Sequence, residues 1–313
     1  MTCDKTLSTM SNDWHVLGAG AIGSLFACAL QDTHQSPVLL SKNSTAAATT
    51  RTITLRHRTQ DTGRPRCYSF PVSPNNATAP IEKLLLTTKA YDVREAIGQV
   101  AHRLNEYSVI VILVNGMGFM NYIQRDHPRL RFTPGTTTEG VYRISENNFC
   151  HAGEGITRIG LSGQSHPPDW FSTWETLPIN CSWDAGIDEI LWQKLAVNCA
   201  INPLTAKQRC KNGDLALPEM ATQVSELCDE IALVSRAAGY VRTADNIHQQ
   251  VRTVIAATAE NKSSMLQDVL AGRRSEIDYI CGYFLTRAEQ LGVPAPFNAA
   301  LYNEIKKMDQ FTR

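Results

Sequence analysis

Short apolar runs alternate with helical patterns through the first half of the chain. The runs are short enough to be β-strands, and they occupy residues 16–17, 38–40, 84–88 and 109–114. Such an alternation is typical of β-α-β units, which build a parallel sheet. We therefore expect an α/β domain at the N-terminus.

Two other regions of this half also predict strands. Residues 51–79 are rich in Thr, Arg, Pro and Asn, and we expect two short strands there, at 53–55 and 68–72, in an excursion from the main sheet. Glycine and β-branched residues recur over residues 133–161, so further strands are expected in that region. Both regions belong to the same α/β domain.

The pattern changes after Trp183. Helical periodicity dominates five later segments, at 189–202, 220–238, 244–260, 275–291 and 298–308, and almost nothing there resembles a strand. We place the domain boundary within residues 184–188. The chain is thus predicted to contain an α/β domain over residues 1–185 and an all-α domain over residues 186–313.

Composition narrows the possible partners. At 313 residues, 43% of them hydrophobic, the chain is long enough for two domains. Its 30 basic and 30 acidic residues cancel, which argues against nucleic acid or an anionic membrane as a partner. Nine cysteines show no C-x-x-C pair and no zinc spacing, so we expect reduced thiols and no metal site. Because residues 1–12 are polar and no apolar run is long enough to span a bilayer, we expect a cytoplasmic protein.

A glycine-rich turn follows the first apolar run. It has the spacing G-x-G-x-x-G, and an Ala- and Leu-rich helical segment follows it. In dinucleotide-binding turns the glycines allow a tight turn, close approach of a pyrophosphate and close packing of helix on strand. The phosphates bind at the N-terminus of the helix. We predict cofactor contacts from six consecutive residues: Gly18, Ala19, Gly20, Ala21, Ile22 and Gly23.

The end of the second strand indicates which dinucleotide binds. NAD-binding sites of this type usually have an acidic residue there, about 20 residues after the glycines, which bonds the ribose hydroxyl. This chain has Ser41-Lys42-Asn43 instead. All three side chains donate hydrogen bonds, which suits a 2′-phosphate and favours NADPH. The alternative is that Lys42 is an ordinary surface lysine.

One predicted helix, residues 189–202, carries an unusual polar stripe. Lys194, Asn198 and Asn202 fall within about 80° of one another around the helix axis, and most of the other residues are apolar. We expect Pro203 to end this helix. Such a narrow stripe is typical of a polar pocket. A lysine there can stabilise the alkoxide formed by hydride transfer to a ketone and then donate a proton. Alternatively, the two asparagines brace neighbouring loops and Lys194 reaches water.

Several polar loops are further candidates. The loops 87–91 and 115–118 follow predicted strands, at the sheet edge where ligands bind, although either could be a plain turn. In the helical half, Ser263-Ser264 suits a carboxylate ligand or a helix N-cap. Glu276 could orient a lysine or a substrate hydroxyl, or could simply favour a helix start. None of the eight histidines is comparably placed for catalysis.

These segments match one family together. The motifs are the 18–23 turn, Thr88-Lys-Ala90, Asn115-Gly-Met-Gly118, Gly135-Thr-Thr-Thr138, residues 192–205, Asn212-Gly213, and residues 260–268 with Glu276-Ile-Asp-Tyr279. On these motifs the chain resembles the ketopantoate reductase (2-dehydropantoate 2-reductase) family from Val16 to about Met308. The segments K-L-A-x-N-x-x-x-N-P-x-T and S-S-M-x-x-D are specific to that family.

The resemblance implies a Rossmann-type NADP-binding domain followed by a helical substrate domain. It also implies NADPH-dependent reduction of 2-dehydropantoate to (R)-pantoate, a step toward pantothenate and coenzyme A. By motif position, Lys194 would be the general acid, with Glu276 near both cofactor and substrate. The implied substrate-binding residues are Asn115, Asn198, Asn202, Asn212 and Ser264. The implied cofactor contacts beyond the glycine turn are Lys42, Lys89, Asn115, Val141 and Glu276.

Some questions stay open at this point. Lys42 occupies a position where the family often has arginine, so the strength of the preference for NADPH over NADH stays open. The small-molecule substrate could be another branched 2-keto acid. The chain could also be a non-catalytic NADPH-binding sensor with the same fold. Both a monomer and a homodimer are compatible with the sequence.

Overall fold

The computed structural model describes residues 13–42, 49–57 and 65–310. The described residues divide into two compact units. The first, called the sheet unit below, lies within Met1–Thr88, Asp92–Val114 and Ile123–Ala185. The second, called the helical unit, lies within Lys89–Tyr91, Asn115–Tyr122 and Gly186–Arg313. The polar start of the chain, Cys3 and the predicted phosphate contact Asn43 lie outside the described residues.

Eleven strands form one sheet in the described part of the chain. They are β1 (Trp14–Leu17), β2 (Val38–Ser41), β3 (Thr50–His57), β4 (Arg66–Pro74), β5 (Lys83–Leu86), β6 (Val109–Leu113), β7 (Phe132–Thr137), β8 (Gly140–Ser145), β9 (Asn148–Gly153), β10 (Thr157–Ile159) and β11 (Cys181–Trp183). Their spatial order is β11-β10-β7-β6-β5-β1-β2-β4-β3-β9-β8. The central pairs among β2, β1, β5, β6 and β7 are parallel, as the alternating pattern predicts.

The expected excursion from the main sheet is wrong. Strand β4 pairs in parallel with β2, aligning Ser73 with Leu40, and β3 pairs antiparallel with β4, aligning Ile53 with Tyr68. The two strands therefore extend the main sheet. Their polar composition concealed this, because only one face is buried: Tyr68 and Phe70 point into the core while their neighbours are exposed. The central strands β1, β2, β5 and β6 are mostly apolar, as is typical of parallel strands covered on both faces.

Ten α-helices lie within the described residues. They are α1 (Ala21–Asp32), α2 (Val93–Val100), α3 (Phe119–Asp126), α4 (Ser172–Glu175), α5 (Ile187–Gln208), α6 (Pro218–Ala237), α7 (Val241–Ala257), α8 (Ser264–Leu270), α9 (Tyr283–Gln290) and α10 (Pro296–Asp309). Short 3-10 turns occupy Ala90–Asp92, Ala101–Arg103, Asp169–Phe171 and Asn212–Ala216, and a π-helix occupies Asp278–Gly282. No described residue after Trp183 is in a strand. The fold is therefore an α/β N-terminal region followed by a mostly helical C-terminal region, as predicted.

Helix α5 does not end at Pro203. The helix continues to Gln208, with Pro203 inside it. An internal proline loses one backbone hydrogen bond and costs about 3 kcal/mol. Here the turn after the proline is buried, and the Thr205 hydroxyl donates to the carbonyls of Ile201 and Asn202 at 3.0 and 2.9 Å. Burial of this turn in the helical core offsets the lost bond.

Two other helical predictions also differ from the structure. Residues 275–291 do not form one helix, because the segment begins irregularly, passes through the π-helix and only then becomes α9. Helix α8 was expected only as the N-cap alternative for Ser263-Ser264. It is seven residues long, too short for a helical period to be distinguished in the sequence.

Each unit has its own hydrophobic core. In the sheet unit, Trp14, Phe26 and Trp174 are fully buried and their rings meet at 5.3 and 5.4 Å. In the helical unit, Trp192 of α5 stacks on Tyr240 at 4.6 Å and its indole N–H donates to Ser235. This anchor fixes the helix that carries the predicted catalytic lysine. Among the described residues, no helix is both long and apolar enough to cross a membrane.

Candidate active site

The glycine turn between β1 and α1 has the geometry of a dinucleotide site. Gly18 has φ +101°, a conformation that favours glycine, and a side chain there would meet the backbone of Thr88 at 2.7 Å. At Gly23, a Cβ atom would lie only 2.4 Å from the Gly18 carbonyl oxygen. These two glycines are therefore required by packing within the sheet unit.

Gly20 differs from the other two glycines. A Cβ atom at Gly20 would meet nothing nearer than the Gly18 carbonyl at 3.9 Å. Gly20 is also the N-cap of α1, no side chain caps the helix, and its first turn contains no acidic residue. The N-terminus of α1 thus presents backbone N–H groups and a positive dipole beside open space. This arrangement fits a pyrophosphate.

Thr87 supports the turn, although it was not predicted to have a role. Its hydroxyl donates to the Gly18 carbonyl oxygen at 2.7 Å. This bond holds the turn against the end of β5. Thr87 belongs to the loop 87–91, which the sequence predicted as a candidate site without a role for this residue. A hydroxyl residue directly after a buried strand was the available signal.

Two predicted cofactor contacts lie elsewhere in the sheet unit. Lys42 directly follows β2, and its ammonium donates to Glu95 at 3.1 Å. Val141 is half-buried on β8, where it pairs with His151 of the neighbouring strand. His151 in turn contacts Glu139 at 2.6 Å and His57 at 3.2 Å.

The helical unit contains a buried cluster of charges around Lys89. Its ammonium donates to Asp268 at 2.6 Å and to Glu276 at 3.0 Å. Both carboxylates are at least 95% buried. Glu276 also accepts the backbone N–H of Ala90 at 2.9 Å, and Asp268 accepts from Arg273 at 3.0 Å. Each carboxylate therefore accepts two hydrogen bonds, so neither buried charge is left without a partner.

The charges of this cluster shift the pKa of Lys89. Burial alone would lower the pKa of this ammonium, but the charges and hydrogen bonds of Glu276 and Asp268 outweigh burial and raise it. Lys89 is therefore a permanent cation that binds the loop 89–91 to α8 and to the segment before the π-helix. The ammonium was predicted to contact the cofactor, and the structure shows it between two carboxylates.

Lys194 lies on α5 and has the opposite pKa shift. Burial lowers the pKa of its ammonium to about 8, while the negative charge of Glu276 opposes this shift. The two residues predicted to be catalytic are thus electrostatically coupled in the folded helical unit. A lysine with a pKa near 8 holds a proton at neutral pH and releases it more readily than an ordinary lysine.

The predicted stripe on α5 lies on a partly covered face. Lys194 and Asn198 are partly exposed and Asn202 is buried, whereas the other faces of the helix contact the core. Asn212 is also buried. Its amide N–H donates to Thr258 at 2.8 Å, while its amide oxygen has no partner among the described residues. A buried acceptor without a donor is costly, so this oxygen is suited to accept a hydrogen bond from a ligand.

The loop after β6 is held closely against the π-helix. Gly116 has φ +81°, and a Cβ there would meet the Tyr279 carbonyl at 2.5 Å. That same carbonyl accepts the N–H of Met117 at 2.8 Å. Asn115, at the start of this loop, is partly exposed. Residues 89–91 of the predicted loop 87–91 and the predicted loop 115–118 therefore both bond to the segment 276–279 within the helical unit.

The two adjacent serines have different roles. Ser263 is the N-cap of α8, accepting the N–H of Leu266 at 3.1 Å, and it is buried. Its hydroxyl oxygen also lies 2.7 Å from the Thr205 hydroxyl oxygen, and this contact links α8 to α5. The N-cap alternative is therefore correct for Ser263. Ser264 is exposed on the first turn of α8, and its hydroxyl is the one available for a ligand.

Asp268 is the main site residue to which sequence reasoning assigned no role. It lies on a helix whose neighbouring residues Met265 and Leu266 are buried. An acidic residue in such an apolar pattern requires a cationic partner, which was the available signal. The partner, Lys89, is 179 residues away in the chain and could not be identified locally.

Within the described ranges, no group of three or more His, Cys, Asp or Glu side chains is arranged to hold a metal ion. The eight described cysteines are all free thiols, and five of them are buried. The two units together define the class of the protein. A sheet with parallel central strands and a glycine turn that fits a pyrophosphate, followed by a helical unit with a coupled lysine and carboxylate, is typical of a dinucleotide-binding oxidoreductase.

Comparison with known proteins agrees with this class. Residues 14–164 match the family described as "Ketopantoate reductase PanE/ApbA", and residues 186–309 match "Ketopantoate reductase PanE/ApbA C terminal". The chain belongs to the ketopantoate reductase family. The resemblance inferred from the sequence motifs is therefore confirmed.

Relatives match over most of the chain. The 2-dehydropantoate 2-reductase of Vibrio cholerae is 35% identical over 297 residues, covering 94% of this chain and 97% of the relative. The enzyme of the same name from Shigella flexneri is 39% identical over 236 residues, covering 74% of this chain and 75% of the relative. These relatives are enzymes, and the chain is an oxidoreductase like them.

Solved structures show the same fold. D-mandelate dehydrogenase in a ternary complex with NADH and anilino(oxo)acetate has a TM-score of 0.85 at 18% identity, covering 95% of this chain and 98% of the other. A PanE/ApbA family ketopantoate reductase from Ralstonia eutropha JMP134 has a TM-score of 0.82 at 22% identity, with the same coverage. A dimeric ketopantoate reductase from Staphylococcus aureus has a TM-score of 0.78 at 19% identity, covering 95% and 99%.

Proposed function

We propose that this protein reduces 2-dehydropantoate to (R)-pantoate with NADPH, in the synthesis of pantothenate and coenzyme A. The observation that carries the proposal is the coupling of Lys194, with a pKa lowered to about 8, to buried Glu276 in a chain of this family. Residues 1–185 bind the dinucleotide and residues 186–313 carry the substrate. A cytoplasmic location and a monomeric or homodimeric assembly are part of the same proposal.

Lys194 acts as the general acid. NADPH, when bound, supplies the hydride that is added to C2 of the keto acid. The ammonium of Lys194 stabilises the negative charge that develops on the C2 oxygen and then donates a proton from Nζ to that oxygen, forming the hydroxyl of pantoate. A pKa of about 8 supports this role, because the group is charged at neutral pH and still acidic enough to give up its proton.

Glu276 maintains the charge of Lys194. Its negative charge opposes the loss of the Lys194 proton on burial. Lys89, bonded to both Glu276 and Asp268, keeps the Glu276 carboxylate in position. Glu276 and Lys89 also remain proposed cofactor contacts. This assignment makes Asp268 a positioning residue that acts through Lys89.

Amide and hydroxyl groups bind the substrate. The proposed set is Asn115, Asn198, Asn202, Asn212 and Ser264. The unpartnered amide oxygen of Asn212 is the most specific feature of this set, because it requires a donor. The 4-hydroxyl of 2-dehydropantoate is such a donor, and an unsubstituted branched 2-keto acid has none.

The dinucleotide binds at the turn of Gly18, Ala19, Gly20, Ala21, Ile22 and Gly23. The open space at Gly20 and the uncapped N-terminus of α1 support this assignment. Lys42, Val141 and Asn115 complete the proposed contacts. Lys42 is the residue proposed to bind the 2′-phosphate of NADPH, since its ammonium can bond a phosphate.

The first test is oxidation of NADPH with 2-dehydropantoate, repeated with NADH. Lys194→Met is expected to reduce kcat/KM by at least about 100-fold, the usual cost of removing a general acid. Lys207→Met is the matched control, because Lys207 lies on the same helix in an exposed pair with Glu304. An absence of turnover, or equal rates in the two variants, would contradict the proposal.

A substrate panel tests the alternative of another branched 2-keto acid. We expect kcat/KM for 2-dehydropantoate to exceed that for 3,3-dimethyl-2-oxobutanoate, which lacks the hydroxyl, on the order of 100-fold. A similar value for both would favour the alternative substrate. Dinucleotide binding without turnover of any keto acid would favour the sensor.

A further inference from the structure

An acidic residue faces the proposed 2′-phosphate site, and it comes from outside the second strand. Lys42 follows β2, and its ammonium lies 3.1 Å from the carboxylate of Glu95. Glu95 is in the first turn of α2, 53 residues further along the chain. NAD-binding sites usually have their acidic residue at the end of β2 itself. Here the end of β2 has no acidic residue, but the carboxylate of Glu95, on α2, lies beside Lys42 in the folded chain.

Glu95 is tied to the end of β2 by a chain of hydrogen bonds. Gln99, one turn further along α2, donates to the same Glu95 oxygen at 2.8 Å. Buried Asn75 donates from its amide to Gln99 at 2.7 Å and from its backbone N–H to the Ser41 carbonyl at 2.9 Å. An exposed ion pair by itself is weak evidence of a function. This carboxylate is instead connected, through buried Asn75, to Ser41 at the end of β2, the residue before Lys42.

We propose that Glu95 is a specificity-determining residue that reduces the preference for NADPH over NADH. This inference rests on the proposed cofactor site. A 2′-phosphate has to share Lys42 with a carboxylate that already accepts from it, and the two negative groups repel each other. The neutral ribose of NADH has no such conflict, and its hydroxyl can donate to Glu95. The Lys42–Glu95 pair therefore reduces the difference in binding affinity between NADPH and NADH.

The test measures 2′-phosphate recognition without the keto acid. Dissociation constants of 2′,5′-ADP and 5′-AMP are measured by calorimetry for the full chain, and their ratio reports the contribution of the phosphate. In Glu95→Gln the preference for 2′,5′-ADP is expected to rise roughly three- to ten-fold, the effect of removing one like charge in a solvated site. In Lys42→Met the preference is expected to fall.

A matched control removes the same charge elsewhere. Glu106 is exposed in the same unit, but it precedes β6, so it lies at the opposite edge of the sheet from the end of β2. Glu106→Gln is expected to leave the ratio within two-fold of the unmodified protein. In a Lys42→Met background, Glu95→Gln is expected to have a different effect from its effect alone, since the two side chains act on the same phosphate.

The outcomes separate this inference from the proposed reaction. If 2-dehydropantoate is not turned over but Glu95→Gln shifts the ratio, the substrate assignment fails and the role of Glu95 stands. A change below two-fold in Glu95→Gln, or one matched by Glu106→Gln, overturns the role of Glu95 even if the reaction is confirmed. If neither fragment binds the unmodified protein at millimolar concentration, both the dinucleotide site and this inference are overturned.

Discussion

The glycine turn of the sheet unit and the charge cluster of the helical unit are built by different principles. The turn is local: within six residues, Gly18 and Gly23 avoid clashes with neighbouring atoms of the protein, and Gly20 leaves open space at the N-terminus of α1. The cluster is non-local, since Lys89, Lys194, Asp268 and Glu276 come from four separate segments. The glycine turn should therefore be sensitive to added side-chain atoms. The charge cluster should instead be sensitive to the loss of any one charged partner. The following predictions test this difference, starting with the largest expected effect.

Removing one carboxylate from the cluster should have the largest effect on stability. Asp268→Asn removes a buried carboxylate that accepts from the Lys89 ammonium and the Arg273 guanidinium, and we expect a loss of about 2–4 kcal/mol in the free energy of unfolding. Urea denaturation measures this loss. Glu304→Gln, which breaks the exposed pair with Lys207, should change it by less than about 0.5 kcal/mol. If Asp268→Asn and Glu304→Gln lowered the free energy of unfolding equally, the buried cluster would contribute no more to stability than an exposed ion pair.

Two alanine substitutions in the turn should differ from each other. Gly23→Ala places a Cβ atom 2.4 Å from the Gly18 carbonyl, so we expect a loss of about 1–3 kcal/mol in stability. Gly20→Ala places its Cβ in open space and should cost less than about 1 kcal/mol, while weakening dinucleotide binding. Thermal melts with and without NADPH separate the two effects. A stable Gly23→Ala variant that binds NADPH normally would contradict the packing argument.

The pH profile of reduction should reflect the coupling of Lys194 to Glu276. A general acid must be protonated, so kcat/KM should fall as pH rises through about 8, approaching ten-fold per pH unit. In Glu276→Gln the fall should begin at lower pH, because the charge that opposes deprotonation of Lys194 is gone. Steady-state rates between pH 6 and roughly 10 test both points. A rate that stays constant across this range would exclude Lys194 as the acid.

The smallest predicted effect concerns the histidine pair of the sheet unit. Burial, followed by the nearby charges of His151 and Arg66, lowers the pKa of His57 below its ordinary value of 6.5. The unfolded state then binds more protons than the folded state, so stability should fall as pH decreases through about 6.5. His57→Gln should remove part of this slope, and His166→Gln, at an exposed position, should not. Part of the slope should remain, because burial also lowers the pKa of His15.

The local features of the fold could be predicted from the sequence. The apolar runs of β1, β2, β5 and β6 and the glycine turn are determined by residues close in the chain, and the structure agrees with them. Sequence motifs also identified the family. The strands β3 and β4 were expected, but their place in the main sheet was not, since pairing of β4 with β2 depends on contacts between distant residues.

Other features depended on tertiary structure alone. Pro203 predicts a helix end by local rules, yet α5 continues because the following turn is buried among other helices. The acidic residue beside Lys42 was sought at the end of β2, and it is provided by α2. Lys89 and Asp268 are individually ordinary residues whose pairing depends on the folded chain.

The sequence by itself therefore determined the α/β pattern, the glycine turn, the residue types of the site and the family. Local steric rules and short-range periodicity act within a few residues and can be recognised there. Tertiary structure decided which charges meet, and through burial it gives Lys194 a pKa of about 8 and Lys89 a raised one. Desolvation and Coulomb interactions depend on distances in space, which separation along the chain does not specify.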